Sequence, residues 1–355
     1  MTPLSYRMPA EWEPHASTWL VWPENQTTWS GKLLKEVESI YLQMVLALLP
    51  NERVNLLVQD KTAAKKISGL FPKKTATRNL TFHFVKTVDV WIRDYGPIFI
   101  RQHLPAGQAG TADSRRQTKA FVKWEFNAWG GKYTDFLCDN EVVDNIQALK
   151  KKRRFDPGMI LEGGSIDVNG RGTCLTTEQC LLNTNRNPQL SKKEIEGYLK
   201  DWLGITKVVW LKEGIEGDDT DGHVDDITRF VSPNTILSAV EPNTRDKNHE
   251  ILKKNLEVLR QSKDQENKPF RLIELPMPGR AEARGHEGTR LPASYANFYI
   301  ANEVVLVPIY SHSNDKLALK IISEVFPARK VIGIECTSLV HGLGSIHCVT
   351  QQELY

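Results

Sequence analysis

The sequence predicts a mixed α/β fold assembled from repeated strand and helix units. Two observations carry this prediction. Apolar residues change between helical spacing and short strand-like runs along the chain. In addition, a pattern of strand, tight turn, strand, helix and strand recurs three times in the second half of the sequence.

The first part of the chain already alternates helix and strand patterns. A helix is expected over residues 35–49, where apolar residues keep helical spacing until Pro50 ends the pattern. Strands are expected at 53–58 and 80–85, with a second helix at 60–70 between them. Four early tryptophans are expected in the core, because large aromatic side chains bury much apolar area: Trp12, Trp19, Trp22 and Trp29.

The polar segment 102–119 lies between two strand patterns and is expected to be a long solvent loop. The three repeated units follow it. Their hairpins are expected at 166–176, 227–239 and 298–308. Each hairpin is followed by a helix, at 191–203, 248–259 and 314–326, and then by a strand, at 207–211, 270–275 and 330–334.

Composition excludes several classes of protein. With 355 residues, 40% hydrophobic and 25% charged, the chain is typical of a soluble globular protein. No apolar run approaches the roughly 18 residues of a membrane span. The net charge of +3 argues against a nucleic-acid partner, and the basic cluster at 150–154 is interpreted as a solvated face. The N-terminus lacks the apolar core of a secretory signal and five cysteines cannot all pair, so a cytoplasmic protein is expected.

Several reactive side chains stand just before or within the first strand of a unit. If the units surround an axis, these positions converge on it, so their side chains are expected in one pocket. Strand alternation would place His223 and Asp225 on one face, and a strand over 345–350 would carry Cys348. The converging set is Asp94, Glu162, His223, Asp225 and Cys348.

Cys348 is the candidate nucleophile because it follows a Gly-x-Gly loop and has a histidine and acids elsewhere in the chain. His347 would point to the opposite face of the strand, so His223 is the preferred acid/base. A metal site is a competing hypothesis for His223 and Asp225, but no chelating spacing supports it, and no metal is predicted. The remaining cysteines are expected to be small buried hydrophobes: Cys138, Cys174, Cys180 and Cys336.

A thiol surrounded by carboxylates favours a substrate that is itself a cation. Carboxylates raise the pKa of a nearby thiol, which disfavours thiolate attack on a neutral amide. A guanidinium is permanently charged, and its planar N–H groups suit paired carboxylates. In this hypothesis Asp94 and Asp225 hold the nitrogens and His223 gives a proton to the departing ammonia. Glu162 would orient the imidazole.

Four ordered segments resemble the signature blocks of the agmatine deiminase family, which includes the Porphyromonas-type peptidyl-arginine deiminases. They are 91–97 (WIRDYGP), 161–165 (LEGGS), 219–225 (DTDGHVD) and 346–352 (IHCVTQQ). The resemblance covers nearly the whole chain. It implies a pentein fold, in which five ββαβ units form a closed α/β propeller with pseudo-fivefold symmetry, as a single catalytic domain over 1–355. No cofactor is implied.

The resemblance also implies chemistry: guanidine hydrolysis through a covalent thiouronium on cysteine. The family's nucleophile falls on Cys348, its general acid/base on His223, and its carboxylates on Asp94, Glu162 and Asp225. The expected reaction converts agmatine and water into N-carbamoylputrescine and ammonia, a step of polyamine biosynthesis. The expected partner is therefore a small cationic guanidine, and a homodimer is left open.

Three further residues are expected to bind the alkyl amine of agmatine. Asp219 matches the family's amine-binding acid, and Trp91 and Trp124 would flank the alkyl chain, with core packing as the alternative for both tryptophans. Tyr95 and Leu343 depart from the Thr and Gly that are common in agmatine deiminases. Free or peptidyl arginine therefore remains an alternative substrate, and a catalytically inactive ligand-binding propeller is the alternative from another class.

Overall fold

The computed structural model describes residues 6–102, 119–282 and 288–355. Its strands are β1 Tyr6–Arg7, β2 His15–Val21, β3 Arg53–Val58, β4 Leu80–Phe84, β5 Ile98–Gln102, β6 Lys119–Val122, β7 Arg153–Phe155, β8 Asp167–Val168, β9 Thr173–Thr177, β10 Lys207–Leu211, β11 Thr228–Ser232, β12 Thr235–Val240, β13 Arg271–Pro276, β14 Tyr299–Ile300, β15 Val304–Ile309, β16 Lys330–Glu335 and β17 Gln351–Leu354. Its α-helices are α1 Lys32–Leu48, α2 Lys61–Ser68, α3 Ile92–Tyr95, α4 Ala128–Gly131, α5 Val142–Asn145, α6 Glu178–Leu181, α7 Lys192–Leu203, α8 Lys247–Gln261 and α9 Asp315–Val325.

Within the described ranges the strands form five separate sheets. Three of them share one plan, in which an antiparallel hairpin is followed by a helix and by a third strand parallel to the second. These sheets are β8-β9-β10, β11-β12-β13 and β14-β15-β16. The predicted strand, strand, helix, strand unit is therefore confirmed at all three places, with bounds within a few residues of those expected. A fourth sheet has the order β1-β5-β6-β7.

The fifth sheet joins the two ends of the chain. β17 pairs antiparallel with β2, and β3 and β4 continue the sheet in parallel. The last strand thus completes the first unit of the chain. This junction brings the segment before β17 against α3, where the Arg93 N–H donates to the Cys348 carbonyl oxygen (3.2 Å).

Two strands that the sequence predicts beside the reactive residues are turns instead. Residues 345–350 form a turn, since the Thr350 hydroxyl donates back to the Ile346 and His347 carbonyls (3.0 Å each). Val224–Asp226 is a single 3₁₀ turn. Local hydrogen bonds replace a strand ladder in both places: the Thr350 hydroxyl in the first, and the backbone bond from Ile227 N–H to the Val224 carbonyl (3.0 Å) in the second. The predicted loop at 102–119 lies almost wholly outside the described residues, and its flanking strands β5 and β6 pair antiparallel.

The core confirms the helical spacing of α1. The buried residues of α1 are the ones whose spacing predicts the helix: Val37, Ile40, Tyr41, Met44, Val45 and Leu48. Trp19, Trp22 and Trp29 are buried, and Trp12 is partly buried against the core.

The cysteines follow their prediction with one exception. Cys174, Cys180 and Cys336 are buried, whereas Cys138 is exposed on a 3₁₀ turn, so the expectation for Cys138 is wrong. No helix of the described residues has both the length and the apolar character needed to cross a membrane.

Candidate active site

A cavity of about 440 Å³ lies where the segment before β17 meets α3 and α4. Its inner end holds the Cys348 thiol and the Asp94 carboxylate. The walls and the outer end come from distant parts of the chain: Thr27, Thr28, Trp91, Trp129, Lys132, Tyr133, Thr134, Asp135, Phe136, Asp219, Thr220, His341, Gly342, Leu343 and Gly344.

Cys348 reaches this cavity from a turn in which Gly342 and Gly344 pass close to tryptophan rings. A Cβ at Gly344 would lie 2.4 Å from the Trp91 ring, so only glycine lets the chain pass so close to that indole. Leu343 has a left-handed backbone (φ 70°), the conformation for which a glycine would be favoured. The Cys348 thiol is 7% exposed, and its Sγ lies 3.1 Å from the amide nitrogen of Asn297 and 3.8 Å from Asp225 Oδ2.

Electrostatics keep this thiol protonated in the free protein. Burial, together with the negative charges of Asp225, Asp226 and Asp94, raises the pKa of Cys348 well above its ordinary value. A raised thiol pKa is what the sequence predicts for a cysteine surrounded by carboxylates.

Asp94 is positioned at the inner end of the cavity by two donors. The backbone N–H of Gly164 donates to its Oδ1 (3.0 Å), and the indole of Trp129 donates to its Oδ2 (2.9 Å). Burial raises the pKa of Asp94 to about 6, and the charges of Asp225 and Glu162 act in the same direction. Asp94 therefore titrates close to neutral pH.

Gly164 also brings His223 and Asp225 together with Asp94. A Cβ at Gly164 would lie 2.6 Å from His223 Nδ1, 2.9 Å from Asp94 Oδ1 and 3.1 Å from Asp225 Oδ2. The absence of a side chain at Gly164 thus leaves the space in which three of the predicted site residues meet. The predicted convergence of His223 and Asp225 is confirmed, although a 3₁₀ turn and not strand alternation produces it.

His223 is fully buried and lies 3.8 Å from Asp94 through its Nδ1. Burial opposes a charge on its imidazole, but Asp94, Cys180 and Asp225 together raise the pKa of His223 well above its ordinary value. Asp225 is the opposite case. Burial would raise its pKa, but the hydrogen bond and charge of His347, with the charge of His223, hold it below its ordinary value.

Glu162 lies beside His223 but does not hold it in the manner predicted. Its Oε1 accepts a hydrogen bond from Arg186 (2.6 Å), while its Oε2 and the Nε2 of His223 lack partners among the described residues. A carboxylate oxygen of Glu162, a ring nitrogen of His223 and the Cys180 sulfur lie within 4.8 Å of one another. The Glu162 and His223 side chains are therefore close neighbours, but no hydrogen bond joins them.

This trio is also the one group in the described ranges that could hold a metal ion. Its donor set of one thiol, one imidazole and one carboxylate suits a soft divalent cation such as zinc. Cys180 and Glu162 were not part of the metal hypothesis that the sequence raises, which paired His223 with Asp225. The prediction that no metal is required remains untested by the geometry.

Asp219, the residue predicted to bind the substrate amine, lines the cavity at its outer, partly exposed end. Tyr133 donates its hydroxyl to the Asp219 carboxylate. Lys132 lies 3.5 Å from that carboxylate and donates more closely to the Asp219 backbone oxygen (2.6 Å) and to Asp221 (2.7 Å). The carboxylate of Asp219 is 37% exposed and keeps capacity for a further cation.

Of the two predicted tryptophans, the structure places one at the cavity. Trp91 lines it, but Trp124 does not: it follows β6 and is buried in a core cluster with Ile98, Val122 and Leu161. Trp129 lines the cavity instead. A left-handed backbone at Ala128 and Trp129 (φ 55° and 53°), followed by two glycines, turns its indole toward Asp94. The Gly130-Gly131 pair after Trp129 was the signal in the sequence.

Sequence reasoning also missed two groups that hold the reactive residues. Asn297 contacts the Cys348 sulfur and donates to Asp226 (2.9 Å), yet it belongs to no glycine-rich segment. His347, predicted to point away, does turn from the cavity, and its Nδ1 lies 2.7 Å from Asp225 while its Nε2 lies 2.8 Å from Glu11. Of the five predicted reactive residues, only Cys348 and Asp94 are among those that line the cavity, whereas Glu162, His223 and Asp225 are buried and are not part of its lining. A buried thiol at the cavity thus has an imidazole and several carboxylates close by, a combination that suits a cation with several N–H donors.

Comparisons with known proteins agree with this chemistry. The family model of Porphyromonas-type peptidyl-arginine deiminases matches residues 7–353, and the chain belongs to this family. It is 35% identical to the agmatine deiminase of Medicago truncatula over 374 residues, which cover 98% of this chain and 96% of that protein.

Solved structures give the same result. The agmatine deiminase of Enterococcus faecalis matches with a TM-score of 0.89 at 31% identity, over 99% of this chain and 97% of that one. A cysteine-to-serine variant of the C. jejuni agmatine deiminase, with substrate bound, matches with a TM-score of 0.85 at 32% identity, over 99% and 96%. The predicted family and the mixed α/β fold are therefore confirmed.

Proposed function

We propose that this protein is a hydrolase of linear amidines, an agmatine deiminase that converts agmatine and water into N-carbamoylputrescine and ammonia. One observation carries the proposal: a buried thiol stands among carboxylates at one end of a cavity whose outer end carries Asp219. Agmatine is a cation at both ends. The similarity to agmatine deiminases over nearly the whole chain supports the same substrate.

In the first half-reaction, Asp94 and Asp225 hold the guanidinium nitrogens. The positive charge of the substrate offsets the carboxylates that raise the Cys348 pKa, so the thiol releases its proton to solvent. The thiolate attacks the guanidinium carbon, and an S–C bond forms as the C–N π electrons move to nitrogen. His223, protonated because of its raised pKa, gives its proton to the departing nitrogen, and ammonia leaves a thiouronium on Cys348.

In the second half-reaction, the neutral His223 takes a proton from water. The resulting hydroxide attacks the thiouronium carbon and the C–S bond breaks. The hydroxyl proton passes to sulfur as the ureido carbonyl forms, which restores the Cys348 thiol and the His223 imidazolium. Ammonia and the proton released earlier together account for ammonium.

The proposal extends to the arrangement of the whole chain. Residues 1–355 are taken as one catalytic domain in which the five sheets surround the cavity as a closed pentein propeller. The sharing of one sheet by the two ends of the chain supports this arrangement. Five free cysteines are consistent with the cytoplasm as its compartment. The homodimer stays a prediction.

One observation favours a second candidate, the hydrolysis of free arginine. Lys132 lines the outer end of the cavity, where the α-carboxylate of arginine would find a cation. Two contacts favour agmatine over this candidate, because Lys132 already donates to the Asp219 backbone and to Asp221.

A substrate panel tests the proposal. Ammonia and ureido product are measured with agmatine, free arginine and an arginine peptide, for the wild type and for Cys348→Ala. We expect turnover of agmatine at the highest kcat/KM, and a loss of roughly four orders of magnitude or more in the variant. Turnover of arginine without agmatine would refute the substrate, no turnover at all would favour the inactive binding protein, and loss of activity on exhaustive chelation would refute the metal-free mechanism.

A further inference from the structure

Arg186 is a buried arginine behind the cavity, and its guanidinium makes four separate contacts. It donates from Nε to Glu162 Oε1 (2.6 Å), from Nη1 to Asp221 Oδ2 (2.7 Å) and Asn185 Oδ1 (2.6 Å), and from Nη2 to the Thr220 carbonyl (2.9 Å). Its side chain is 0% exposed. Such a fork of donors fixes both the position and the rotation of the group that it holds.

The contact with Glu162 decides how that carboxylate can act. Because Arg186 takes Oε1, the second oxygen of Glu162 is left without a partner in the described part of the chain, as is Nε2 of His223. Both atoms are buried and belong to neighbouring side chains. The arginine thus leaves one carboxylate oxygen available to the imidazole.

Charge gives Arg186 a second role. Glu162 is buried near two other carboxylates of the site, Asp94 and Asp225, which disfavours a third negative charge. The guanidinium of Arg186 is in direct contact with Glu162 (2.6 Å) and supplies the opposite charge that such a buried position needs.

Arg186 is itself held by the walls of the cavity. A Cβ at Gly130 would lie 2.8 Å from its Nη1, so the turn that carries Trp129 packs directly on the guanidinium. Asp221, its second carboxylate partner, accepts from Lys132 through the other oxygen. Arg186 therefore connects Glu162 to two of the segments that line the substrate cavity.

We infer that Arg186 is a positioning residue for the reaction: it holds Glu162 by one carboxylate oxygen so that the other is available to His223, and it acts on catalysis only through Glu162. This inference rests on the proposed deiminase function, since it assigns a role within the same site.

The test is a double-mutant cycle with pH profiles. Arg186→Gln, Glu162→Gln and the double variant are assayed with agmatine, alongside Arg186→Lys. We expect Arg186→Gln to lower kcat by about tenfold or more, the equivalent of leaving one buried charged partner unpaired. The acid limb of its kcat profile moves to higher pH, because a buried carboxylate without its cation binds a proton more readily. Arg186→Lys restores part of the loss.

In the Glu162→Gln background the further change of Arg186 costs little, since its target is already neutral. Arg290→Gln is the matched control, because Arg290 is also a buried arginine that bridges two carboxylates, Glu216 and Asp246, outside this site. It should lose stability without moving the acid limb. The inference is overturned if Arg186→Gln and Arg290→Gln change kcat alike with unmoved profiles, or if the losses of Arg186→Gln and Glu162→Gln multiply in the double variant. A wild type without guanidine turnover would instead refute the proposed function.

Discussion

Two buried charge clusters meet at Asp225, and they differ in how their charges are compensated. The first consists of Asp94, Glu162, His223, Asp225 and Cys348, and it is called the reacting cluster because we propose that it acts on the substrate. The framework cluster lies on the other side of His347 and consists of Glu11, Arg93, Arg229 and His347 itself. His347 contacts Asp225 through one ring nitrogen and Glu11 through the other.

The framework cluster is balanced by fixed cations. Glu11 lies 2.9 Å from Arg229 and 3.4 Å from Arg93, and it accepts the backbone N–H of Ile300 (2.8 Å). Burial alone would raise the pKa of Glu11, but Arg229, His347 and Arg93 hold it well below its ordinary value. These contacts join the N-terminal segment, α3, β11 and the turn before β17, so the cluster fixes the elements around the site.

The reacting cluster has an excess of negative charge, since Arg186 contacts only Glu162 among its carboxylates. Both clusters contain atoms without a hydrogen bond in the described ranges: Glu162 Oε2, His223 Nε2 and Asp225 Oδ1 here, and Nε and Nη2 of Arg229 in the framework cluster. The charge balance therefore distinguishes the two clusters. In place of a lowered pKa, Asp94 has one raised to about 6. Fixed cations complete one cluster, whereas a bound cation would complete the other. An excess of buried negative charge thus indicates where a cationic substrate would bind.

The largest expected effect comes from breaking the balanced cluster. Glu11→Gln removes the carboxylate between Arg93 and Arg229 and leaves Arg229 only the more distant Asp167 (3.6 Å), so we expect the free energy of unfolding to fall by about 3–5 kcal/mol. Urea unfolding at pH 7 measures it. Because the pKa of Glu11 is lowered on folding, its contribution is present above the ordinary carboxylate value of about 4.3 and is lost as pH falls below it.

Glu13→Gln is the control for this prediction. Glu13 lies in the same segment and pairs with Arg7 and Arg101, but these ion pairs are partly exposed (19–27%). Its loss should cost about 1 kcal/mol or less. Equal losses for the two variants would contradict the distinction between a buried framework cluster and an ordinary ion pair.

The next prediction concerns pH and uses the uncompensated cluster. Asp94 must be ionised to accept the guanidinium N–H groups, and its pKa in the free protein is raised to about 6. We therefore expect the fall of kcat/KM for agmatine with decreasing pH to steepen below about 6, by about a further tenfold per pH unit, because protonation of Asp94 adds to the proton that Cys348 must lose. Bound guanidinium favours the carboxylate, so the corresponding limb of kcat lies at lower pH.

Initial rates measured from about pH 4.5 to 8, roughly one to two units on either side of the Asp94 pKa, check this expectation. Asp94→Asn should lower activity and abolish this steepening, because the group that titrates is gone. A kcat/KM that does not steepen down to pH 5 in the wild type would show that Asp94 does not control binding.

The fold could be predicted well wherever one local pattern decides an element. The apolar spacing of α1 predicts its buried face, and the hairpin, helix and strand order of the three repeated units is observed as expected. The failures occur at 224–226 and 345–350. There, a few hydrogen bonds from side chains and backbone form turns that strand-like composition does not reveal.

The site could be predicted as a set of residues but not as a geometry. Gly164 marked a close approach, yet which side chains share the space beside it depends on segments far apart in sequence. Trp124 and Trp129 illustrate the limit, because both follow β6 closely and only the left-handed backbone at Trp129 decides which one faces the cavity. Glu11, Arg186 and Asn297 act through contacts with distant segments, so no local motif indicated them.

The smallest expected effect lies at the outer end of the cavity, where charges are partly exposed. Asp219→Asn should raise KM for agmatine by about fivefold and leave kcat nearly unchanged, since a partly exposed ion pair contributes about 1 kcal/mol and this contact holds ground state and transition state alike. Steady-state kinetics measure it, with Asp135→Asn as control, because Asp135 also lines the cavity but has no contact with Tyr133 comparable to that of Asp219 in the described residues. A larger rise in KM for Asp135→Asn would indicate that Asp135, and not Asp219, binds the amine. A fall in kcat without a change in KM would mean that Asp219 acts with the reacting cluster and not as a binding site for the amine.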